Sequence, residues 1–157
     1  MSSKVSLTDE QKQLLERLAV LNEQGGIPPA PAKILALLTV SDVIELSFDQ
    51  IQDTLEISKS ATSQALTQLQ AFKQVEYSSR IGDRKRYFRL STSDWRDHIL
   101  DKFEHLRRTA DIYNEILKQR PAETKDFNKS LQQKADLLRF AVEKLPGMLR
   151  DLGCDEC

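Results

Sequence analysis

Several things this chain lacks set its limits first. No apolar run approaches the roughly 18 residues of a membrane span, and the opening MSSKVSLTDEQ contains no hydrophobic h-region. Neither insertion nor secretion is therefore expected, and the anticipated location is cytoplasmic, with no membrane partner. Five glycines and five prolines in 157 residues exclude a low-complexity chain. There is no glycine-rich phosphate loop and no Ser or Cys nucleophile set in a catalytic motif. No enzyme activity, cofactor or metal is expected. Metal-ligand spacing occurs once, as the C-x-x-C of Cys154 and Cys157 in LGCDEC. With the right partners that pair could form a zinc half-site or a redox switch. It stands at the end of the sequence with no second C-x-x-C, and Asp155 and Glu156 would raise a thiol pKa, so a disordered tail is the favoured reading. His98 and His105 lie a heptad apart, about 10 Å along a helix, too far to share one ion; they are expected at a surface or an interface.

What is present fits one ordinary domain, or a small domain with helical extensions: 39% hydrophobic and 30% charged residues, a globular and helix-rich balance. The formal net charge is only −1, but it is unevenly spread. Residues 1–56 hold 4 basic and 9 acidic side chains, 57–90 hold 7 and 2, and 91–157 hold 12 and 13. The middle third is thus +5, a local attraction for a polyanion on an otherwise acidic protein, unless solvated Lys and Arg have clustered there by chance.

Along the chain, Thr8 followed by Gln11 makes a capping box, and Leu14, Leu15, Leu18 and Leu21 form a stripe, so the first helix should run from Thr8 to Glu23. QGGIPP ends it, with Gly25 and Gly26 as C-cap residues. Pro31 suits the first turn of a second helix whose Ile34, Leu35, Leu37 and Leu38 are apolar on several sides. Ser47 N-caps a short helix through Ile51 and Leu55, EIS makes a tight turn, and Ser58 caps the next helix. In that helix Thr62, Ala65, Leu66, Leu69 and Phe72 share one side. VEYSSR and KRYFRL then alternate as strands around IGDR, predicting a β-hairpin. From Ser93 or Asp94 a long helix carries Trp95, Ile99, Phe103, Leu106, Ala110, Tyr113 and Leu117 on one stripe and stops at Pro121. A last helix, with Phe127, Leu131, Ala135, Leu138 and Val142, reaches Pro146. Both need something to pack on, and partner chains are the expected answer.

The order helix, helix, tight turn, helix, two-stranded wing is that of a winged helix-turn-helix, mainly α with a small β-hairpin. In such a module the second helix of the pair lies in the DNA major groove. Off its apolar stripe this helix offers Ser60, Ser63, Gln64, Thr67 and Gln68. Short hydroxyls and amides can approach base edges where a carboxylate would be repelled. Lys59 can reach a phosphate or a guanine edge, and Ser58 as N-cap brings backbone N–H groups near phosphates. In the wing, Arg80, Arg84, Lys85, Arg86 and Arg89 bracket the turn, and an Arg at its tip can enter the minor groove. Asp83 is placed to pair with Arg84 and hold it extended. Tyr87 should face opposite Arg86 and Phe88, so only part of the cluster can point at DNA. The competing readings are an ordinary solvated helix face and a charged edge hairpin protected from aggregation.

GIPPAPAKILALLTVSDVIELSFDQIQDTLEISKSATSQALTQLQAFKQVEYSSRIGDRKRYFRL, Gly26 to Leu90, resembles the DNA-binding domain of the MarR superfamily. Its Gly-x-Pro-rich approach to the second helix, SKSATSQAL and GDRKRYF resemble the GbsR branch in particular. The resemblance implies a cytoplasmic, homodimeric transcription regulator that reads a roughly palindromic operator in double-stranded DNA. Its terminal helices would form the dimer interface. Ser58, Lys59 and Ser63 fall on the family's SK…S positions and Arg84 on its wing Arg. Two departures stand out. Thr62 occupies a position where the family commonly has a buried Val, leaving a hydroxyl in need of a partner, and Gln74 replaces the usual Gly of the helix-to-strand corner. The resulting division is an N-terminal helix over 1–25, the winged helix-turn-helix over 26–92, a helical dimerisation region over 93–153 and a tail over 154–157. Trp95, Phe103 and Tyr113 are candidates to line a pocket for a small-molecule effector, although aromatics at helical spacing are more often core. Two other functions compete: a winged-helix protein-interaction module using the same face on an acidic partner, and a thiol- or metal-responsive sensor working through Cys154 and Cys157.

Overall fold

Reciprocal caps set where two of the helices begin. The computed structural model describes residues 4–79, 81–91 and 95–153, with the backbone alone for Trp95. Helix α1 covers Asp9–Gln24; Thr8 Oγ1 accepts from the Gln11 N–H at 3.1 Å while Gln11 Oε1 accepts from the Thr8 N–H at 2.9 Å. Two donors that the helix itself leaves orphaned are satisfied in this way. The Gln11 amide also donates to the Val40 carbonyl at 3.1 Å and to Asp42 at 2.9 Å, fastening the start of α1 to the end of α2, Pro29–Val40. At the other end of α1, Gly26 has φ +92, its N–H meets the Glu23 carbonyl at 2.9 Å, and the Ile27 N–H meets that of Asn22 at 3.1 Å. This is a Schellman closure, with glycine at its left-handed position.

The chain divides into two units, Met1–Asp94 and Trp95–Cys157. In the first, α2 is buried on several sides, as its sequence predicts: Ala32, Ile34, Ala36 and Leu37 are fully inaccessible. Strand β1 (Leu46–Ser47), helix α3 (Phe48–Leu55), helix α4 (Lys59–Ala71) and strands β2 (Val75–Ser79) and β3 (Arg86–Leu90) follow. The antiparallel sheet has the order β1-β3-β2, with Leu46 opposite Phe88 and Val75 opposite Leu90. The hairpin agrees with the sequence pattern, but the third strand is an addition to it, because two residues carry no readable period. Ile34, Leu37, Ile51, Leu66, Leu69 and Phe88 are among the side chains of one continuous core. That core fixes α4 and the wing on a common base.

In the second unit α5 (Trp95–Gln119) and α6 (Lys125–Asp151) run antiparallel. Ala110 and Ala135 are completely buried, and the small side chains let the helices approach closely. Gln132 bonds Asn114 at 3.2 Å and Arg139 bonds Asp111 at 2.8 Å across the pair. Arg120 organises the turn, reaching Asn128 at 2.8 Å and Thr124 at 3.2 Å while its guanidinium lies 4.2 Å from the centre of the Phe127 ring. The expected start at Ser93 or Asp94 lies outside the described residues.

The end of α6 differs from expectation. Pro146 lies inside the helix, which continues to Asp151. A proline costs a helix interior about 3 kcal/mol through its missing N–H and its ring. Leu145 and Leu149 on either side of it are buried, and each contributes about 1.5–3 kcal/mol, enough to carry the helix through.

Candidate nucleic-acid interface

The helix-turn-helix is built by caps on both of its helices. Ser47 Oγ accepts from the Gln50 N–H at 3.2 Å and Gln50 Oε1 from the Ser47 N–H at 2.8 Å, a second capping box, which starts α3. Glu56 ends α3 in the left-handed region at φ 53 and turns the chain. A segment preceding α1 braces that turn: the Val5 N–H donates to Thr54 Oγ1 at 2.9 Å, and Lys4 forms an ion pair with Glu56. The hydrogen bond from Lys4 holds the Glu56 carboxyl below its usual range.

Ser58 then N-caps α4, its Oγ accepting from the Ala61 N–H at 3.2 Å and lying 3.1 Å from Ser60 Oγ. Thr62, Ala65, Leu66 and Leu69 face the core. The Thr62 hydroxyl finds its partner in the Ser58 carbonyl at 2.9 Å, so a buried threonine is accommodated where an apolar residue would also fit. Ser58, Lys59, Ser60, Ser63, Gln64 and Thr67 are all exposed, and α4 contains no Asp or Glu. Thr67 donates its hydroxyl hydrogen to the Ser63 carbonyl at 2.9 Å, leaving oxygen lone pairs to accept. Phe72, expected on the buried stripe, is exposed and serves as the C-cap.

The corner after α4 repeats the closure of α1 without glycine. Lys73 takes the left-handed position at φ 55, with its N–H 2.9 Å from the Gln70 carbonyl and that of Gln74 2.9 Å from the Leu69 carbonyl. The demanding position is therefore Lys73, one residue before the Gln74 singled out in the sequence.

The wing sorts its charges by height. At its base Arg89 pairs with Glu76 at 2.7 Å across the register that sets these residues opposite one another, and Ser91 joins Glu76 at 3.0 Å. Halfway up, the Arg86 guanidinium sits 4.8 Å from the centre of the Phe48 ring. Phe88 is buried on the same side of β3 and Tyr87 turns the other way, the alternation predicted from sequence. At the tip, Asp83 accepts from the Lys85 N–H at 2.9 Å and from the Tyr87 hydroxyl at 2.7 Å. The expected pair of Asp83 with Arg84 is replaced by this brace on the turn. Arg84 and Lys85 are exposed and carry no ion pair among the described residues. Arg80 lies outside the described residues, as do Cys154 and Cys157.

Of the aromatics considered for an effector pocket, Phe103 is half-buried, and Tyr113 lines a groove of about 430 Å³ with Phe127, Leu131 and Lys134. The first unit has a crevice of about 400 Å³, lined in part by Val5, Leu7, Leu15 and Leu55. His105 is exposed and His98 half-buried. No helix among the described residues is long and apolar enough to cross a membrane.

No family model matches the chain, and no curated protein matches it. A crystal structure described as that of a transcriptional regulator does match, with a TM-score of 0.69 over 92% of this chain and 98% of that one, at 20% sequence identity. The two proteins share a fold.

Proposed function

We propose that this protein is a DNA-binding transcriptional regulator of the MarR superfamily, nearest its GbsR branch, which grips a roughly palindromic operator as a homodimer. The observation that carries the reading is an exposed α4 face without carboxylates, on the same core as a wing whose Arg84 and Lys85 have no ion-pair partner among the described residues. Lys59, Ser60, Ser63, Gln64 and Thr67 read the major groove and Ser58 sets the helix N-terminus near the phosphates. Arg84 enters the minor groove, while Arg80, Lys85 and Arg86 hold the phosphate backbone. A regulator with the same fold supports the assignment.

Dimerisation is supported by apolar side chains that each unit leaves uncovered: Leu14, Val20 and Leu21 on α1, Ile112 and Ile116 on α5, and Leu137, Phe140 and Met148 on α6. Surfaces of this kind mark association sites. The decisive experiment is recovery of bound fragments from a random pool of duplex DNA. A two-fold symmetric motif is expected, with half-sites about one helical turn apart; enrichment of no sequence would remove the operator-reading function.

A further inference from the structure

We infer that Ile81 lets the wing read base composition: its branched side chain enters the minor groove beside Arg84 and fits only where the floor lacks the guanine 2-amino group. The inference deepens the DNA-binding reading and rests on it.

Ile81 is the most exposed large apolar side chain among the described residues, at 109% of its reference accessibility. A single exposed isoleucine is ordinary in itself; its setting is what gives it a role. Gly82, next to it, has φ +85, a conformation that side chains with a Cβ rarely adopt, although a Cβ there would meet nothing within 4 Å. Glycine is thus retained for the shape of the turn. Asp83 then ties the turn to Lys85 N–H and Tyr87 OH, so Ile81 is carried on a braced loop whose acid is directed at its own backbone and ring neighbour.

In the same turn as Ile81 are Arg84 and Lys85, exposed and without ion pairs among the described residues. Cations flanking a protruding aliphatic group complement a groove about 6 Å wide, with phosphates at its rims and sugars along its walls. The cations meet the rims and the aliphatic group meets the walls. On the floor, A·T and T·A pairs present only acceptors at the level of the base edges, whereas a G·C pair adds a protruding amino donor. An isoleucine can neither bond that amine nor make room for it. Aliphatic side chains of this size do enter minor grooves.

The test uses the tightest duplex recovered from the random-sequence pool, with the wing-contacted pair located by hydroxyl-radical footprinting. Three versions of that duplex carry A·T, G·C or inosine·C at the pair. Inosine keeps the major-groove face of guanine and lacks its 2-amino group. The wild-type protein should bind the A·T and inosine·C duplexes alike and the G·C duplex about tenfold more weakly. Ile81→Ala should bring all three within about twofold while its thermal melt stays unchanged, and Ile81→Val should keep most of the discrimination. Arg84→Ala should weaken all three duplexes, and adding Ile81→Ala to it should still flatten their ratio. A G·C penalty that survives Ile81→Ala, or an inosine·C duplex as weak as G·C, overturns the inference and leaves DNA binding intact. A pool that yields no bound duplex overturns both.

Discussion

Arginine does opposite work in the two units of this chain. In the α5–α6 hairpin, Arg107 pairs with Glu104 and Asp111, Arg108 with Glu104, and Arg139 with Asp111. Glu104 answers two guanidiniums, and the hydrogen bond from Arg107 foremost holds its carboxyl down at about 2. At the wing tip, Arg84 and Lys85 have no such partners among the described residues. Where arginines are answered by neighbouring carboxylates, as around Glu104 and Asp111, the side chains exposed on the same two helices include apolar ones: Ile112, Ile116, Leu137, Phe140 and Met148. Where they are left unanswered, at the wing tip, what remains is charge around one apolar side chain, Ile81. The first kind of surface suits a second protein chain and the second a polyanion. The charge total of a segment therefore says less about its partner than where its counter-ions are.

The largest effect should come from the apolar side of this contrast. Replacing Leu137 and Phe140 together with Glu puts two carboxylates on an α6 face where both side chains are more than half exposed, so folding of the protomer should be unaffected. Association should fail, and with it the second arm of a two-armed grip. Affinity for the selected duplex should fall by about 10²–10⁴ as bivalency disappears. Sedimentation velocity and binding titrations on the same samples read the two effects together. A doubly substituted protein that remains dimeric would show that this face of α6 is not the interface.

Next in size is the charged side. Arg84→Ala with Lys85→Ala should weaken binding at least on the order of tenfold at low salt and reduce the slope of log affinity against log salt by about 4, one unit for each of the two cations that each protomer withdraws from the duplex. Arg139→Ala is the counterpart: it removes the same kind of charge from a paired site and should leave both the affinity and the slope unchanged. If the two variants shift the slope equally, pairing does not decide availability and the contrast collapses.

How much of this is legible in the sequence depends on the range of the interaction concerned. Both capping boxes follow from short-range spacing: Thr8 and Gln11 show the pattern in the sequence, and Ser47 is an expected N-cap, although its partner Gln50 emerges only with the structure. The alternation that buries Phe88 and turns Tyr87 away is likewise a local property. The Arg89–Glu76 pair is not: the residues are 13 apart, and their meeting depends on a hairpin register that one residue of slip would undo. From sequence, Arg89 thus looks as available as Arg84. The expected partner of Asp83 is the wrong neighbour for a related reason, since its partners Lys85 N–H and Tyr87 OH are set by the backbone path of the turn. Pro146 reads as a stop because the local rule is strong, and the burial of Leu145 and Leu149 overrules it. The apolar and polar sides of α4 are visible from periodicity, Phe72 excepted, whereas which cations stand free requires the fold.

The smallest effect concerns a cation of the basic third that lies outside the proposed interface. Lys73 closes α4 in the left-handed region at φ 55, the place that Gly26 fills at φ +92 in the matching closure of α1. A side chain with a Cβ costs about 1 kcal/mol there relative to glycine. An exposed lysine just past a helix C-terminus recovers about 0.3 kcal/mol of that through the helix dipole. Lys73→Gly should therefore stabilise the protein by about 0.5 kcal/mol, or about 2 °C in Tm, even though glycine frees the unfolded chain. Lys73 lies beyond the end of a 13-residue helix whose opposite end carries Lys59 and Ser60, about 20 Å away. Removing it should leave the salt slope of DNA binding where it was. A melt that rises while the slope holds would separate charge that serves the partner from charge that merely tolerates a strained corner. A slope that falls by about two units, one for each protomer, would place Lys73 on the phosphates and enlarge the interface to the whole length of α4.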